Sequence, residues 1–300
     1  MELSVVVPTL NGREQLAVCL DALAEEVPDA ELIVVNGPSA DGTTGMVRDR
    51  DDVDVLVEIA DRSVTVARNA GLDRATGDAV ALVNHGLSVE SGWADAVERG
   101  LAETAAVTGP THEQLAAGMT TESKEARRIA GREVTYFNAG NVAFDGAVLD
   151  ALDGYDEYLA IGGSRDVAHR MAAHGYDVGW DTAMSVSREF EADGGIRETD
   201  WAEKYRSLAY RLLKNYGVRP TVARRLCSHA ARDAVDALKD VVTGDTAPSQ
   251  WLATGQDVAT GAADGVADGF LARYRNRDEG RNPNGRSSRA DRAVAVYDRR

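Results

Sequence analysis

The sequence predicts an α/β fold with a parallel sheet covered on both faces. Two observations carry this. Short, fully apolar runs alternate with segments of helical periodicity through the first half of the chain. The apolar runs show no in–out alternation, the mark of strands buried on both faces.

Leu3–Val7 is the first apolar run, ended by Pro8. Arg13–Leu23 places Leu16, Cys19, Leu20 and Leu23 at helical spacing. Glu31–Val35 is a second strand, followed by a turn at Gly37-Pro38. Thr43–Arg50 reads as a helix and Val53–Ile59 as a third strand. Ser63 is placed to cap a helix running to about Thr76, before a fourth strand at Ala79–Val83. Ligands of such sheets bind at the carboxyl ends of the strands. Pro8–Asn11, Asn36–Asp41 and Asn84–Gly86 are therefore expected along one edge, in one cleft.

The middle is less regular. Thr135–Phe144 mixes aromatics, glycine and asparagine, as a strand lining a site does. Gly154-Tyr155-Asp156-Glu157 is turn-like, and Asp166–His174 reads as a short helix ended by Gly175. From about residue 196 the chain becomes helical. Trp201–Tyr216 carries Tyr205, Leu208, Ala209 and Leu212 on one face, and Pro220 starts a helix to about Val242. Arg275–Arg289 is rich in Arg, Asn, Gly and Ser, either a flexible arm or a loop pinned by charge. The expected division is 1–195 as the α/β domain and 196–300 as a helical extension with a polar tail.

Composition narrows the function classes. The 300 residues carry a net charge of −16, and only four of the 33 basic residues are lysine. High negative charge with arginine in place of lysine suits concentrated salt, which screens self-repulsion; a GC-rich genome is the competing explanation of the arginine. It argues against a nucleic-acid partner. No stretch reaches the ~18–20 apolar residues of a membrane helix, and no signal sequence is recognised. The expected location is cytoplasmic. The cysteines, Cys19 and Cys227, fit no metal or redox spacing and read as buried free thiols.

Six segments in order resemble the family 2 glycosyltransferases: SVVVPTLNGREQLAVCLDAL, ELIVVNGPSADGTTGMV, ARNAGLDRATGDAVALVN, FNAGNVAF, GYDE and GGSRDVAHRMAAHGY. They span residues 2–190; the helical region beyond lies outside the general pattern. The resemblance implies a GT-A fold, a Rossmann-like nucleotide half joined to an acceptor half. It implies inverting sugar transfer from an activated donor, usually a nucleoside diphosphate sugar, to a glycan or lipid-linked acceptor. It also implies magnesium or manganese on the diphosphate and a carboxylate base for the acceptor hydroxyl.

By that resemblance Pro8, Thr9, Asn11, Asn36, Asp41, Arg68 and Asn69 contact the nucleotide donor, together with Asn84 and Gly86. Asn36 stands where the family usually has aspartate, and it both accepts and donates. Asn36 and Asp41 also suit a turn around Gly37. Asn84-His85-Gly86 occupies the place of Asp-x-Asp. Asn84 offers a neutral carbonyl and Gly86 only backbone, so the usual carboxylate ligands of a hard cation are missing and no metal residue is assigned. His85 suits a softer metal, but strand alternation points it away from its neighbours.

Gly163-Ser164 replaces the family's Glu-Asp, which puts Ser164 at the base position. A serine is no base near neutral pH without activation. Asp166 is either a replacement base or a first-turn charge on its helix. Arg68, Arg165 and Arg188 are the candidate substitutes for the metal's charge, Arg188 lying near a diphosphate-reaching histidine of many relatives. Asn138, Asn141 and Trp180 keep the frame of the acceptor side.

Two functional readings follow. One is a transferase, metal-independent or unusually metallated. The other is a non-catalytic relative that binds a nucleotide, a glycan or a partner transferase. The segment RSLAYRLLKNYG (206–217) has a basic and an apolar side. It either packs on the catalytic domain or rests on the inner face of an anionic membrane.

Overall fold

The computed structural model describes residues 1–115, 118–121, 124–188, 200–243, 248–275 and 282–300. The chain begins β1 (Leu3–Thr9), α1 (Arg13–Glu26), β2 (Glu31–Asn36), α2 (Thr43–Arg48), β3 (Val55–Ile59), α3 (Val64–Leu72), β4 (Ala79–Val83), β5 (Ser88–Val89) and α4 (Trp93–Glu103). It continues through β6 (Ala106–Thr108), β7 (Thr111–Leu115), β8 (Gly118–Thr121), β9 (Glu125–Ile129), β10 (Arg132–Tyr136) and β11 (Asn141–Asp145). Then come α5 (Gly146–Ala151), α6 (Gly163–His174), β12 (Val178–Trp180) and β13 (Val186–Arg188). The last part is α7 (Trp201–Tyr216), α8 (Pro220–Thr243), α9 (Pro248–Arg275) and β14 (Ala293–Asp298).

The main sheet has the order β12-β6-β11-β4-β1-β2-β3-β14. β1, β2, β3 and β4 are parallel, while β11 and β14 run antiparallel to their neighbours. Side chains alternate across it, as the strand period of two requires. Val5 and Val7 pack with Leu16 and Leu20 of α1 and Trp93 of α4. Val6 and Ile33 point to the other face, with Val66 of α3, Leu149 of α5 and Met171 of α6. Both layers are apolar, which is why these strands read as continuous hydrophobic runs.

Pro8 does not end β1. The ladder to β4 stops at Val6, while the ladder to β2 runs on to Thr9. Pro8 thus has no β4 partner for the amide hydrogen it lacks. Ser63 precedes α3 without capping it; its hydroxyl lies 2.7 Å from the Thr65 hydroxyl instead. Gly175 ends α6 in the left-handed region, as the sequence predicts. Cys19 is buried, and burial pushes its thiol up to about 12. Cys227 is exposed, which corrects the expectation of two buried thiols.

The helical region is tied back to the sheet. α9 lies against α7 with glycines at the contact: a Cβ on Gly261, Gly265 or Gly269 would come within 2.1, 2.2 or 2.6 Å of a carbonyl oxygen of α7. After α9 the chain returns and adds β14 to the edge of the main sheet. This strand follows the polar tail and is absent from the sequence reading. Residues 276–281 of that tail lie outside the described residues. Its remainder is pinned by charge. Arg289 reaches Asp61 at 3.0 Å and Glu157 at 2.9 Å, and buried Arg292 reaches Glu157 at 2.5 Å and Asp73 at 2.9 Å.

α7 buries both of its sides. Tyr205, Tyr210, Leu212 and Leu213 are buried, and so are Arg211 and Lys214. Of the two alternatives for 206–217, this packing matches the helix lying on the rest of the chain. Among the described residues no helix is long and apolar enough to cross a membrane.

Candidate active site

The carboxyl ends of β1, β2 and β4 converge, as the topology predicts. The loops after β1 and β2 are laced together. The Asn11 amide donates to Ser39 Oγ at 2.8 Å, and the Ala40 amide donates to Asn11 Oδ1 at 3.0 Å. Asn11 takes a positive φ of 58°, a conformation asparagine tolerates better than most residues. Asp41 accepts the amides of Gly12 at 2.7 Å and Arg13 at 3.0 Å, and the Thr43 hydroxyl at 2.6 Å. Partial burial pushes the Asp41 carboxyl up, but these hydrogen bonds outweigh it and hold it at about 2.

Asn36 is fully buried and already partnered. Its Oδ1 accepts from Ser39 Oγ at 2.7 Å, and its Nδ2 donates to Thr44 Oγ1 at 2.8 Å. The buried amide therefore shapes the loop rather than facing a ligand. Asn69 is also fully buried, donating to the Tyr155 carbonyl at 2.9 Å and accepting its amide at 2.8 Å. It clamps the Gly154–Glu157 turn onto α3. The structure thus corrects both asparagines from ligand contacts to scaffold.

A cavity of about 210 Å³ opens between these strand ends. Pro8, Thr9, Asp61, Arg68, Asn84 and His85 are among its lining residues. His85 lies on the cavity, contrary to the alternation argument, because β4 has ended at Val83 and the period of two no longer applies. Its Nδ1 is 3.3 Å from the Pro8 carbonyl, an acceptor, which assigns the proton to Nδ1. Burial pushes its pKa down, so the ring is neutral near pH 7. Gly12 makes room for it: a Cβ there would lie 2.8 Å from His85 Nε2, and the Gly12 φ of 92° is itself left-handed.

The end of β4 does not fit magnesium or manganese. Asn84 Oδ1 accepts the Gly86 amide at 3.1 Å, His85 faces a carbonyl, and Gly86 has no side chain. Among the described residues no three His, Cys, Asp or Glu side chains cluster as a metal site. Hard cations favour carboxylate oxygens, and this loop supplies none.

A larger groove of about 970 Å³ adjoins the first cavity. Ser164, Arg165, Trp180, Lys204, Arg211 and Glu125 are among its lining residues. Val64, Arg68 and Ala139 line both spaces. Arg68 is 7% exposed, donating from Nη1 to Ser164 Oγ at 3.1 Å and from Nη2 to the Ala139 carbonyl at 2.8 Å. Its buried Nε has no hydrogen-bond partner among the described residues. Ser164 therefore sits where the sequence puts the base, but as an acceptor for Arg68. Asn138, expected on the acceptor side, lines this groove, whereas Asn141 is buried and accepts from the Trp93 indole at 2.8 Å.

Asp166 is removed from the cleft. It is fully buried and accepts from Arg170 Nε, Lys214 Nζ and Asn215 Nδ2, each at 2.8 Å. Burial alone would raise its carboxyl, but the Lys214 and Arg170 charges hold it far below the usual range. With no exposed surface and both oxygens engaged, this carboxylate has no access to a substrate hydroxyl. Arg188 closes β13, in the small sheet β5-β13-β7-β8, and lines neither cavity. Glu125, Lys204 and Arg211 are not singled out in the sequence. Nothing local marks them; only the packing of β9 and α7 beside α6 brings them to the groove.

Known proteins resemble the chain in part of its sequence and in its fold. Residues 4–109 match the model of Glycosyl transferase family 2. Glycosyltransferase AglE of Haloferax volcanii is 30% identical over 105 residues, 33% of this chain and only 34% of that relative's length. S. aureus TarS 1-349, solved with UDP-GlcNAc, superposes with a TM-score of 0.62 at 14% identity, covering 93% of each chain. The mannosyltransferase PcManGT from Pyrobaculum calidifontis, solved with GDP-Man and Mn2+, gives 0.57 at 18% identity over 89% of this chain and 87% of that one. The fold is GT-A, and over residues 4–109 the amino-terminal part of this chain is similar to family 2 glycosyltransferases.

Proposed function

We propose that the chain is a glycosyltransferase that takes a nucleotide-sugar donor in the cavity at the strand ends. It transfers the sugar, with inversion, to a hydroxyl of a glycan or lipid-linked acceptor in the adjoining groove. The observation that carries this reading is the shared wall of the two spaces, with Arg68 at the junction. The nucleotide sugars bound by the TarS and PcManGT structures support the donor class.

The acceptor oxygen attacks the anomeric carbon as the bond to the diphosphate breaks on the opposite face. Negative charge grows on the leaving phosphate. Arg68 supplies fixed positive charge and a planar fork of donors there. Ser164 and the Ala139 carbonyl hold that fork in place, so little reorganisation is needed during the reaction. The proton leaves with a carboxylate. Glu125 is the carboxylate of the groove among the described lining residues, and Arg165 and Arg127 hold it ionised against the effect of burial.

A second reading, a donor-binding protein without turnover, is favoured by one observation. The base position carries Ser164 as a hydrogen-bond acceptor while the next carboxylate, Asp166, is locked in ion pairs. Calorimetric titration in concentrated KCl with UDP- and GDP-sugars, with manganese and with chelator, separates the readings when followed by a turnover assay. Binding in chelator with turnover supports the transferase built on Arg68. Binding without turnover on any acceptor favours the second reading. A folded protein that binds no nucleotide sugar overturns both.

A further inference from the structure

The molecule carries a net charge of −16, yet one cavity is cationic. This space of about 510 Å³ opens off the acceptor groove, sharing Arg165, Arg211 and His229 with it. Arg165 and His169 come from α6, Arg211 from α7, and Arg225, His229 and Arg232 from α8. The spacing of the last three, four residues and then three, puts them on one face of α8. The carboxylate among its lining residues is Glu125, 3.2 Å from Arg165 and shared with Arg127 at 3.4 Å; Asp166, already paired with Arg170 and Lys214, and Asp233, paired with Lys204, act on its cations from outside the lining. Neither Arg225 nor Arg232 makes a side-chain ion pair among the described residues.

Arg211 is the most informative member. It is only 9% exposed, and its Nε is buried without a hydrogen-bond partner among the described residues. One Nη donates, at 3.3 Å, to the Gly162 carbonyl. Gly162 is shaped around this guanidinium: a Cβ there would lie 2.2 Å from Arg211 Nη1. A buried, under-satisfied cation among like charges is costly unless an anion joins it. The electrostatics agree with the geometry. Burial depresses Arg211, Tyr136 and Asp166 oppose it, and Arg165 and Arg225 add to it; His169 and His229 are pushed down by burial and neighbouring arginines against the opposing charges of Asp166 and Asp233.

We infer that this cavity binds the phosphoryl group of a phosphorylated acceptor. The inference rests on the transferase reading for the word acceptor, and on the cavity alone for the phosphoryl group. A carboxylate presents two coplanar oxygens and one charge. A phosphate monoester presents three acceptor oxygens in different directions and ~−1.5 to −2 charge. Guanidinium forks arriving from α6, α7 and α8 match the second pattern. The source is either the headgroup of a prenyl phosphate or a soluble sugar phosphate.

The test is calorimetry on the full chain at constant ionic strength. The probes are farnesyl phosphate in detergent micelles, farnesol in the same micelles, glucose 1-phosphate and inorganic phosphate. UDP and GDP are titrated in parallel. The proposal predicts that a phosphorylated probe binds, that farnesol does not, and that R225Q/R232Q weakens phosphoryl binding about tenfold or more. Nucleotide binding is expected unchanged in that variant. Tighter farnesyl phosphate than glucose 1-phosphate identifies a lipid headgroup; the reverse order identifies a soluble phosphate. No phosphoryl binding, or equal binding by the variant, overturns the inference. If nucleotides bind and phosphates do not, the inference falls alone. If phosphates bind and nucleotides do not, the donor reading falls and the anion site stands. Arg211→Gln sharpens the result where it folds, and the two α8 residues, half-buried and exposed, keep the test available where it does not.

Discussion

Asp41 and Asp166 are both aspartates that accept from several donors, and they serve the molecule in opposite ways. Asp41 is exposed and binds backbone amides and one hydroxyl, tying the loop after β1 to the loop after β2. Asp166 is fully buried and binds cations. Lys214 also reaches Asp156 at 2.6 Å, and Asp156 accepts from Tyr210 at 2.9 Å and Asn284 at 3.0 Å. One buried network therefore joins α6, α7, the Gly154–Glu157 turn and the tail. The donor half is organised by backbone donors at little desolvation cost. The acceptor half is organised by buried charge, which is tolerable only while every partner is present.

The largest expected effect comes from breaking that second network. Lys214→Met leaves Asp156 without its cation and Asp166 with Arg170 as its one cation beside the Asn215 amide. The expected loss is about 3–5 kcal/mol of stability, the usual range for removing one partner of a buried pair. Urea denaturation followed by circular dichroism measures it. A loss under about 1 kcal/mol would mean the buried charges are dispensable, and the contrast between the halves would fail.

The second effect is on chemistry. Arg68→Lys keeps a positive charge but loses the fork that spans Ser164 and the Ala139 carbonyl. Turnover is expected to fall by about 10²-fold, near the lower range for losing one positioned charge-stabilising donor. Steady-state rates with a saturating nucleotide sugar check this. A lysine variant with full activity would take Arg68 out of the mechanism.

Much of the donor half is legible in the sequence, and the reason is locality. β1 to β4 announce themselves because both faces are buried, and Asn11, Asn36 and Asp41 meet because their loops follow adjacent parallel strands. The acceptor half is less legible because its partners are distant. Asp166 meets Lys214 across 48 residues, so no local pattern distinguishes a base from a buried anchor. β14 pairs with β3 from the far end of the chain, after a polar stretch that resembles an arm. The stripe Arg225, His229 and Arg232 is visible as helical spacing, but its meaning needs Arg165 and Arg211 beside it.

Asn36→Ala tests locality inside the donor half. Both ends of the amide are bonded to Ser39 and Thr44, so truncation strands two hydroxyls near the loop. The expected cost is about 1–2 kcal/mol of stability. Donor affinity is expected to change by less than about threefold, well within 1 kcal/mol. Titration of the variant with a nucleotide sugar that the wild type binds reads this directly. A tenfold weaker donor with unchanged stability would return Asn36 to the ligand.

The smallest effect isolates the charge of Asp41. Its carboxyl titrates at about 2 in the folded chain, below the ordinary value of 3.8. A folded pKa below the unfolded one means the anion stabilises the fold. That contribution is fully present above about pH 4 and is lost as pH falls through about 2. Because Asp41 is exposed, solvent screening keeps it small, about a few tenths to 1 kcal/mol. Asp41→Asn removes the charge but keeps an acceptor oxygen for the amides. The stability gap between wild type and Asp41→Asn is therefore expected to be constant from pH 7 to about 4 and to shrink towards pH 2. Asp166 cannot account for such a change, since it is unaltered in both proteins and its own titration lies lower. A gap that persists unchanged to pH 2 would show that Asp41 works by the placement of its oxygens alone. The two aspartates would then differ in kind, one using charge and the other only geometry.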